Sequence, residues 1–201
     1  MEPAIYTYPD FLTAEECSYF LALIRDHPSS EGRPFTRLTA CPRTFGACSA
    51  SLTPPFTTPF TNTGNFDNKK WHDPLLASQF HQRLKEVLGI TDVLSPSLLR
   101  ANSLVMTGRY KPGDSFNLHT DTGLYYDRET RTKSRWTLLI YLNDDFEGGT
   151  TEFFDDAWKP TRTVLPKAGT ALLFDIDLWH RGVEVTKGEK CWIGCENIGA
   201  F

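Results

Sequence analysis

Two short apolar runs separated by a turn make up the stretch from Trp136 to Phe153, which reads WTLLIYLNDDFEGGTTEF. The runs 136–142 and 151–154 consist largely of aromatic, aliphatic and β-branched residues, which favour strands. The glycine pair at 148 and 149 marks a turn between them. This stretch therefore predicts two short strands of a β-sheet.

The same alternation of short runs and turn residues continues on both sides. Further candidate strands are 98–110, 115–121, 161–165, 170–175, 181–186 and 190–198. Eight short strands at this spacing are typical of a β-sandwich or a jelly-roll barrel. We predict a mainly β fold whose core covers about 98–198.

Two helices are predicted before this core. Thr13 and Glu16 form a capping-box pattern that begins a helix over about 14–26. Asp73 is the expected N-cap of a second helix, which ends at Gly89. We expect both helices to brace one outer face of the β core.

The segment between the helices has a different composition. Residues 28–70 are rich in Pro, Thr, Ser, Asn and Gly, so we predict a long irregular excursion that includes a few short strands. Part of it, and the loop 122–134, are candidate walls of a substrate site. His27, His72 and His81 lie at helix ends or on a helix, and we expect capping or surface roles for them.

The composition excludes some partners. A chain of 201 residues fits one domain, predicted as 1–201, with the helices and the irregular loop in 1–97. The net charge is −4 and no stretch is dense in Lys and Arg, which argues against nucleic acid. The five cysteines form no C-x-x-C pair, as expected of reduced intracellular thiols. With no secretory signal and no long apolar run, we predict a soluble cytoplasmic or nuclear protein without a membrane partner.

The segment N-L-H-T-D, from Asn117 to Asp121, is the first that carries metal chemistry. Side chains alternate along a strand, so His119 and Asp121 would project from the same face. An imidazole beside a carboxylate can bind two adjacent positions of a metal ion. Alone, H-x-D is a weak signal, because a strand end next to a turn can produce it by chance.

His180 strengthens this signal, because it follows a second apolar strand that ends in a polar corner. Two histidines and one carboxylate form the facial triad of non-haem iron(II) oxygenases, which leaves three metal positions open. A structural zinc site would instead have all its positions filled by protein. His119, Asp121 and His180 are therefore the predicted metal ligands.

Lys190 lies ten residues after His180, on the strand that follows the Lys187–Gly188 turn. If this lysine is buried, its charge needs a buried anion as partner. A solvent-facing strand lysine is the alternative, and the spacing from His180 favours the buried one.

Three blocks of the sequence resemble a known family: RYKPGDSFNLHTD (109–121), WTLLIYLNDDFEGGTTEF (136–153) and HRGVEVTKGEK (180–190). They are similar to the catalytic domain of prolyl 4-hydroxylases and their iron(II)/2-oxoglutarate dioxygenase relatives. The resemblance covers about residues 98–198 and implies a double-stranded β-helix, a cupin-like jelly roll. It implies Fe(II), 2-oxoglutarate and O2 as cofactor and co-substrates, with ascorbate as reductant.

The resemblance also implies roles for single residues. It makes His119, Asp121 and His180 iron ligands, and it pairs Lys190 with a carboxylate of 2-oxoglutarate. Tyr110 and Tyr141 match positions whose hydroxyls often contact this co-substrate; the alternative is a strand tyrosine with a solvated hydroxyl. Under the same resemblance, Thr137 is a candidate for the wall of the pocket.

The implied reaction is hydroxylation of a substrate C–H bond, with succinate and CO2 as co-products. The substrate is a prolyl residue in a protein, a free amino acid or another small molecule. Two alternatives remain: a nucleic-acid demethylase of the same superfamily, and a cupin-like metal-binding protein without enzymatic activity. Lys190 argues against the last, because a metal-binding barrel alone needs no such cation.

Overall fold

Short antiparallel strands dominate the structure, a computed structural model that describes residues 4–26, 64–89, 98–121 and 123–201. The strands and helices, in chain order, are β1 (Ile5–Tyr8), α1 (Ala14–Asp26), β2 (Gly64–Asn65), β3 (Asp67–His72), α2 (Pro74–Leu88), β4 (Arg100–Tyr110), β5 (Ser115–His119), β6 (Tyr126–Asp127), β7 (Thr132–Tyr141), β8 (Glu147–Gly148), β9 (Thr151–Phe154), β10 (Pro160–Val164), β11 (Ala171–Asp175), β12 (Trp179–Gly182), β13 (Val185–Lys187) and β14 (Lys190–Ala200).

Two sheets carry most of these strands. The major sheet has the order β1-β11-β7-β14-β4-β3, with β6 paired to β7, and the minor sheet has the order β10-β9-β12-β5-β2. The strands β8 and β13 form a separate pair. These sheets confirm the predicted mainly β fold with a double-stranded β-helix core.

The two helices cover the outer face of the major sheet, as predicted. Phe20 of α1 and Phe80 of α2 pack in one apolar cluster with Val105, Leu138 and Cys195 of the sheet. A second cluster, which includes Phe153 of the minor sheet, Tyr141 and Phe174, fills the space between the two sheets. The inner face of the major sheet is thus the face that meets the minor sheet.

The helix ends follow the predicted signals. The Asp73 carboxylate accepts a hydrogen bond from the Leu76 N–H at 3.0 Å, and Pro74 is the first helical residue. Gly89 ends α2 with φ +63°, a left-handed conformation that favours glycine. No helix of the described residues is long and apolar enough to cross a membrane.

Several predictions of local structure were wrong. The predicted strand 115–121 ends at His119, so Asp121 lies beyond it, and the predicted strand 181–186 is divided between β12 and β13. Within the predicted irregular segment, the expected short strands occur as β2 and the first part of β3, which pair with β5 and β4. The rest of that segment, 28–63, and Thr122 of the predicted loop 122–134 lie outside the described residues.

The prediction for His81 also needs correction. Its ring is buried against the major sheet, where Nδ1 and the Asn197 carboxamide oxygen lie 2.8 Å apart. The helical pattern places His81 on the sheet side of α2, where a polar group needs a partner. His81 is therefore a hydrogen-bonded core residue, whereas His72 is exposed, as expected.

Candidate metal centre

Two neighbouring strands of the minor sheet bring His119 and His180 together. The residues are direct partners in the antiparallel pair of β5 and β12, and their ring centroids are 4.2 Å apart. Phe116 stacks on the His119 ring at 3.8 Å, and Phe174 lies edge-on to His180 at 4.7 Å. Aromatic packing thus restricts both imidazoles.

A backbone carbonyl two residues earlier holds each imidazole by Nδ1. His119 Nδ1 lies 2.6 Å from the Asn117 carbonyl oxygen, and His180 Nδ1 lies 2.9 Å from that of Leu178. A carbonyl can only accept, so Nδ1 carries the proton in both rings and Nε2 keeps its lone pair. This tautomer is the one that a metal bound at Nε2 requires.

Asp121 supplies the third donor atom from just beyond β5. Its Oδ1 lies 3.6 Å from His119 Nε2 and 3.9 Å from His180 Nε2. Its other oxygen, Oδ2, accepts a hydrogen bond from the Thr137 hydroxyl at 2.5 Å. The backbone N–H of Asp121 donates to the Ile176 carbonyl at 3.1 Å, which fixes the residue against the end of β11.

The charges of these groups suit a cation. Burial lowers the pKa of His180 despite the nearby Asp121, which favours the neutral imidazole that can bind a metal. Burial would raise the pKa of Asp121, but His119, His180 and the Thr137 hydroxyl outweigh it and hold this pKa below its ordinary value.

The three side chains fit a metal ion. One donor atom from each of His119, Asp121 and His180 lies within 4.8 Å of the others. His119 Nε2 is buried and has no hydrogen-bond partner, although such an atom ordinarily needs one. A metal ion between the three donors would provide it, and two nitrogen donors with one oxygen donor suit iron(II).

Lys190 lies on the inner face at the start of β14 and is only 3% exposed. Its ammonium donates to the Gly149 carbonyl at 2.7 Å and lies 5.2 Å and 5.5 Å from the ring centroids of Tyr110 and Tyr141. Among the described residues, no carboxylate forms an ion pair with it. Burial lowers the pKa of this ammonium to about 7, so the alternative of a solvent-facing lysine is wrong.

Tyr110 and Tyr141 are both buried beside Lys190. The Tyr141 hydroxyl is 2.8 Å from the Thr151 hydroxyl, and the Tyr110 ring stacks on Phe66 at 4.2 Å. Burial raises the pKa of both tyrosines, so each hydroxyl keeps its proton and can donate it to an acceptor. A solvated hydroxyl on an ordinary strand tyrosine is therefore wrong for both.

Three more inner-face features were not predicted from the sequence. Thr137 was placed only in the pocket wall, whereas it binds the Asp121 carboxylate. Glu196 is buried, and its carboxylate accepts from the Ser134 hydroxyl at 2.5 Å and the Leu124 N–H at 2.8 Å. Lys70 is half-buried, and both Glu196 and Asp121 act on its charge. The period-two pattern from Lys190 could have placed Glu196 on this face; no sequence signal pointed to Lys70.

Comparisons with known proteins agree with this geometry. The family model of the 2OG-Fe(II) oxygenase superfamily matches residues 105–195, which include His119, Asp121, His180 and Lys190. The comparison with curated protein sequences found no match.

Solved structures with the same fold include oxygenases of different kinds. A viral collagen prolyl hydroxylase from Paramecium Bursaria Chlorella virus-1 is similar, with a TM-score of 0.63 and 18% identity over 100% of this chain and 98% of that one. A Pseudomonas putida prolyl-4-hydroxylase gives a TM-score of 0.60 at 14% identity, covering 98% and 93%. An alpha ketoglutarate dependent carbocyclase from nogalamycin biosynthesis gives 0.60 at 15%, covering 98% and 80%. At these identities the similarity establishes the fold.

The double-stranded β-helix with a His–Asp–His group between its sheets is the arrangement typical of non-haem iron(II) oxygenases. Together with the family match over residues 105–195, it supports a 2OG-Fe(II) oxygenase, a class whose members use iron(II) and 2-oxoglutarate.

Proposed function

We propose that this enzyme hydroxylates a C–H bond of its substrate and converts 2-oxoglutarate to succinate and CO2. In this proposal His119, Asp121 and His180 bind the iron. Lys190 binds the carboxylate of 2-oxoglutarate that lies farther from the metal. The carrying observation is a buried ammonium that has no carboxylate partner among the described residues and that lies near three converging metal donors. Aromatic rings connect the two: Lys190 lies over Tyr110, Tyr110 packs in one cluster with Phe116, and Phe116 stacks on His119.

Each of these residues has a defined task. The two imidazoles and Asp121 Oδ1 would hold the metal through three donor atoms, which leaves positions for 2-oxoglutarate and O2. Lys190 neutralises the distant carboxylate in a dry environment, where the attraction between the charges is strong. Tyr110 and Tyr141 lie beside the Lys190 ammonium, and in this proposal their protonated hydroxyls donate to a co-substrate oxygen.

When bound, iron(II) would supply the O2 chemistry, in which one oxygen atom enters the succinate co-product and the other enters the substrate. The protein residues orient both reactants and exclude water. None of them needs to act as a general base. Ascorbate would serve as the reductant that keeps the iron in its iron(II) state.

Succinate formation tests this proposal. The full chain with Fe(II), 2-oxoglutarate, ascorbate and O2 should release succinate, and His119→Ala, Asp121→Ala or His180→Ala should abolish this release. His81→Ala is the matched histidine control: it removes a buried hydrogen bond to Asn197 and should lower stability while sparing turnover. If His180→Ala kept full iron affinity and succinate production, the ligand assignment would be wrong.

The role of Lys190 has its own test. Lys190→Ala should raise the concentration of 2-oxoglutarate needed for half-maximal turnover by two to three decades, since losing one partner of a buried ion pair costs about 3–5 kcal/mol. The iron requirement should change far less. Lys190→Arg should restore the affinity only in part, because its wider guanidinium hydrogen-bonds differently.

We further propose a prolyl residue in a protein or peptide as the substrate. The three sequence blocks support it, since they resemble the prolyl 4-hydroxylase branch most. A small molecule is the second candidate, favoured by a fold that also occurs in a carbocyclase of nogalamycin biosynthesis. Nucleic acid is disfavoured, because the net charge is −4 and no stretch of the sequence is dense in Lys and Arg.

Substrate panels distinguish these classes. Proline-rich peptides should stimulate succinate release by the wild-type enzyme and gain one oxygen atom, as measured by mass spectrometry. If free amino acids stimulated release while no peptide did, the protein-hydroxylase proposal would be wrong. The oxygenase assignment would stand in either case.

A further inference from the structure

A single buried side chain, Asn143, holds the backbone on both sides of Lys190. The Asn143 carboxamide nitrogen donates to the Glu189 carbonyl at 2.5 Å, and its oxygen accepts from the Cys191 N–H at 2.8 Å. Asn143 lies just beyond the end of β7 and is 6% exposed. It thus binds the two residues that flank Lys190 in the chain.

The same side chain reaches the loop that receives the Lys190 ammonium. The Asn143 nitrogen also donates to the Asp145 carboxylate at 2.6 Å. This loop continues to Gly149, whose carbonyl accepts from the ammonium at 2.7 Å. Gly149 has φ +66°, and a Cβ there would lie 3.2 Å from Lys190 Cδ, so the loop backbone follows the lysine side chain closely.

The Asn143 hydrogen bonds leave little freedom at this point. A carboxamide offers two N–H donors and an acceptor oxygen, and Asn143 uses both donors and the oxygen within the Lys190 surroundings. A lysine side chain has four rotatable bonds, so the position of its ammonium depends on a fixed backbone and on a fixed acceptor. Asn143 holds the backbone on both sides of Lys190 directly. Through Asp145 it also contacts the loop that carries the acceptor carbonyl of Gly149.

We propose that Asn143 is a positioning residue for 2-oxoglutarate, acting through Lys190. This inference rests on the proposed role of Lys190. Asn143 itself has no part in binding the co-substrate in this scheme. It sets where the ammonium lies relative to the metal, and therefore whether one 2-oxoglutarate molecule can reach both at once.

The test is the dissociation constant of 2-oxoglutarate, measured by anaerobic calorimetric titration of the full chain loaded with Mn(II). Asn143→Ala should weaken binding about tenfold, as expected when one or two positioning hydrogen bonds are lost. The midpoint of urea unfolding of each variant is measured in parallel, and turnover should show a raised KM for 2-oxoglutarate with kcat largely kept.

Asn197, which lies in β14 as Lys190 does, provides a matched control. It is a fully buried asparagine of β14, but it faces α2, where its oxygen lies 2.8 Å from His81 Nδ1. Asn197→Ala should lower the unfolding midpoint and leave 2-oxoglutarate affinity within about twofold of wild type. A second control is Asn143→Ala in a Lys190→Ala background, where it should change the affinity by less than about twofold, because the side chain through which it acts is gone.

Three outcomes would overturn the inference. Asn143 would serve stability alone if Asn143→Ala bound 2-oxoglutarate as tightly as wild type. The same would follow if Asn197→Ala weakened binding as much as Asn143→Ala does. In both cases the proposed function would stand. If the wild-type protein with Mn(II) bound no 2-oxoglutarate, the proposed function would fail together with the inference.

Discussion

At the scale of single residues, the metal centre combines local and distant restraints. Each histidine is oriented by a carbonyl two residues earlier in the chain, within β5 for His119 and at the bend before β12 for His180. Asp121 lies beyond its strand, and its carboxylate is held by Thr137 of another sheet. The carboxylate is therefore the ligand whose position depends most on tertiary structure.

We expect Thr137→Val to weaken iron binding without abolishing it. The substitution replaces the hydroxyl by a methyl group of similar shape and leaves Asp121 Oδ2 without its donor. Loss of a group that orients a metal ligand typically costs about 10–100-fold in metal affinity. Competition with a chelator of known affinity measures the effect.

Thr137→Ser is the matched control, because it keeps the hydroxyl and should bind iron nearly as tightly as wild type. Unchanged affinity in Thr137→Val would mean that the hydrogen bond does not position the ligand. A similar loss in Thr137→Ser would point to packing of the methyl group instead.

The residues that form the candidate site were largely predictable, and their connections were not. His119, Asp121, His180 and Lys190 were found because H-x-D, a later His and a strand lysine follow one another at a recognisable spacing. The bond between Thr137 and Asp121 depends on how two sheets face each other, which strand periodicity does not contain. Asn143 and Gly149 were missed for the same reason.

At the scale of secondary-structure elements, the capping box of α1 also joins the two helices. Thr13 N–H donates to Glu16 at 2.9 Å, and Glu16 N–H donates to the Thr13 hydroxyl at 3.2 Å. The fully buried Glu16 carboxylate accepts two further hydrogen bonds from the Arg83 guanidinium of α2, at 2.8 Å and 3.0 Å. One carboxylate thus caps α1 and pairs α1 with α2.

Glu16→Ala should therefore destabilise the protein by about 3 kcal/mol, because it removes both the helix cap and the buried carboxylate that pairs with the Arg83 guanidinium. Glu16→Gln keeps the capping geometry and loses the charge, so its effect should be intermediate. Urea unfolding measures both. Affinity for 2-oxoglutarate should not change, since these helices lie on the outer face of the major sheet.

If Glu16→Ala cost only about 1 kcal/mol, the value typical of a lost helix cap, the pairing with Arg83 would contribute little.

Both helices and the apolar strands had local signals and were predicted, whereas the position of β3, which depends on pairing, was not. Both helices had capping residues that marked their ends. The strand β3, DNKKWH, shows no apolar alternation, and Trp71 is its only buried residue. Its extended form comes from pairing with β4. That partner is distant in the sequence, since the first paired residues are Asp67 and Arg109.

At the scale of the whole molecule, the metal centre joins the two sheets. His119 and His180 belong to the minor sheet, and Thr137, which holds Asp121, belongs to the major sheet. A metal ion bound to all three ligands would connect the sheets across the inner space. Such an ion binds the folded chain and finds no preformed site in the unfolded one.

Mn(II) without O2 should therefore raise the thermal unfolding temperature. A metal at a thousand times its dissociation constant adds about 4 kcal/mol to the free energy of unfolding, or roughly 10 °C for a chain of this size. His180→Ala should lose this shift, and His81→Ala should keep it from a lower starting temperature. Calorimetric scans with and without Mn(II) measure it, and equal shifts in wild type and His180→Ala would place the metal elsewhere.

The lysine beside Gly149 has a consequence for proton balance. In the free protein its pKa is about 7, so at pH 8 most molecules hold a neutral amine. A carboxylate partner favours the charged form and raises this pKa, so binding of 2-oxoglutarate at pH 8 should take up almost one proton per molecule. Affinity should be constant below the free pKa and should fall as the pH rises above it.

Titration of the Mn(II)-loaded protein in two buffers with different ionisation enthalpies counts these protons. The uptake should be close to one at pH 8 and small at pH 6, where the amine is already protonated. Lys190→Arg is the reference, because its guanidinium stays charged at every pH used and should take up none. Equal uptake in both proteins would assign the proton to another group. A proton count at pH 8 thus reports whether the co-substrate meets a neutral amine or a charge already in place.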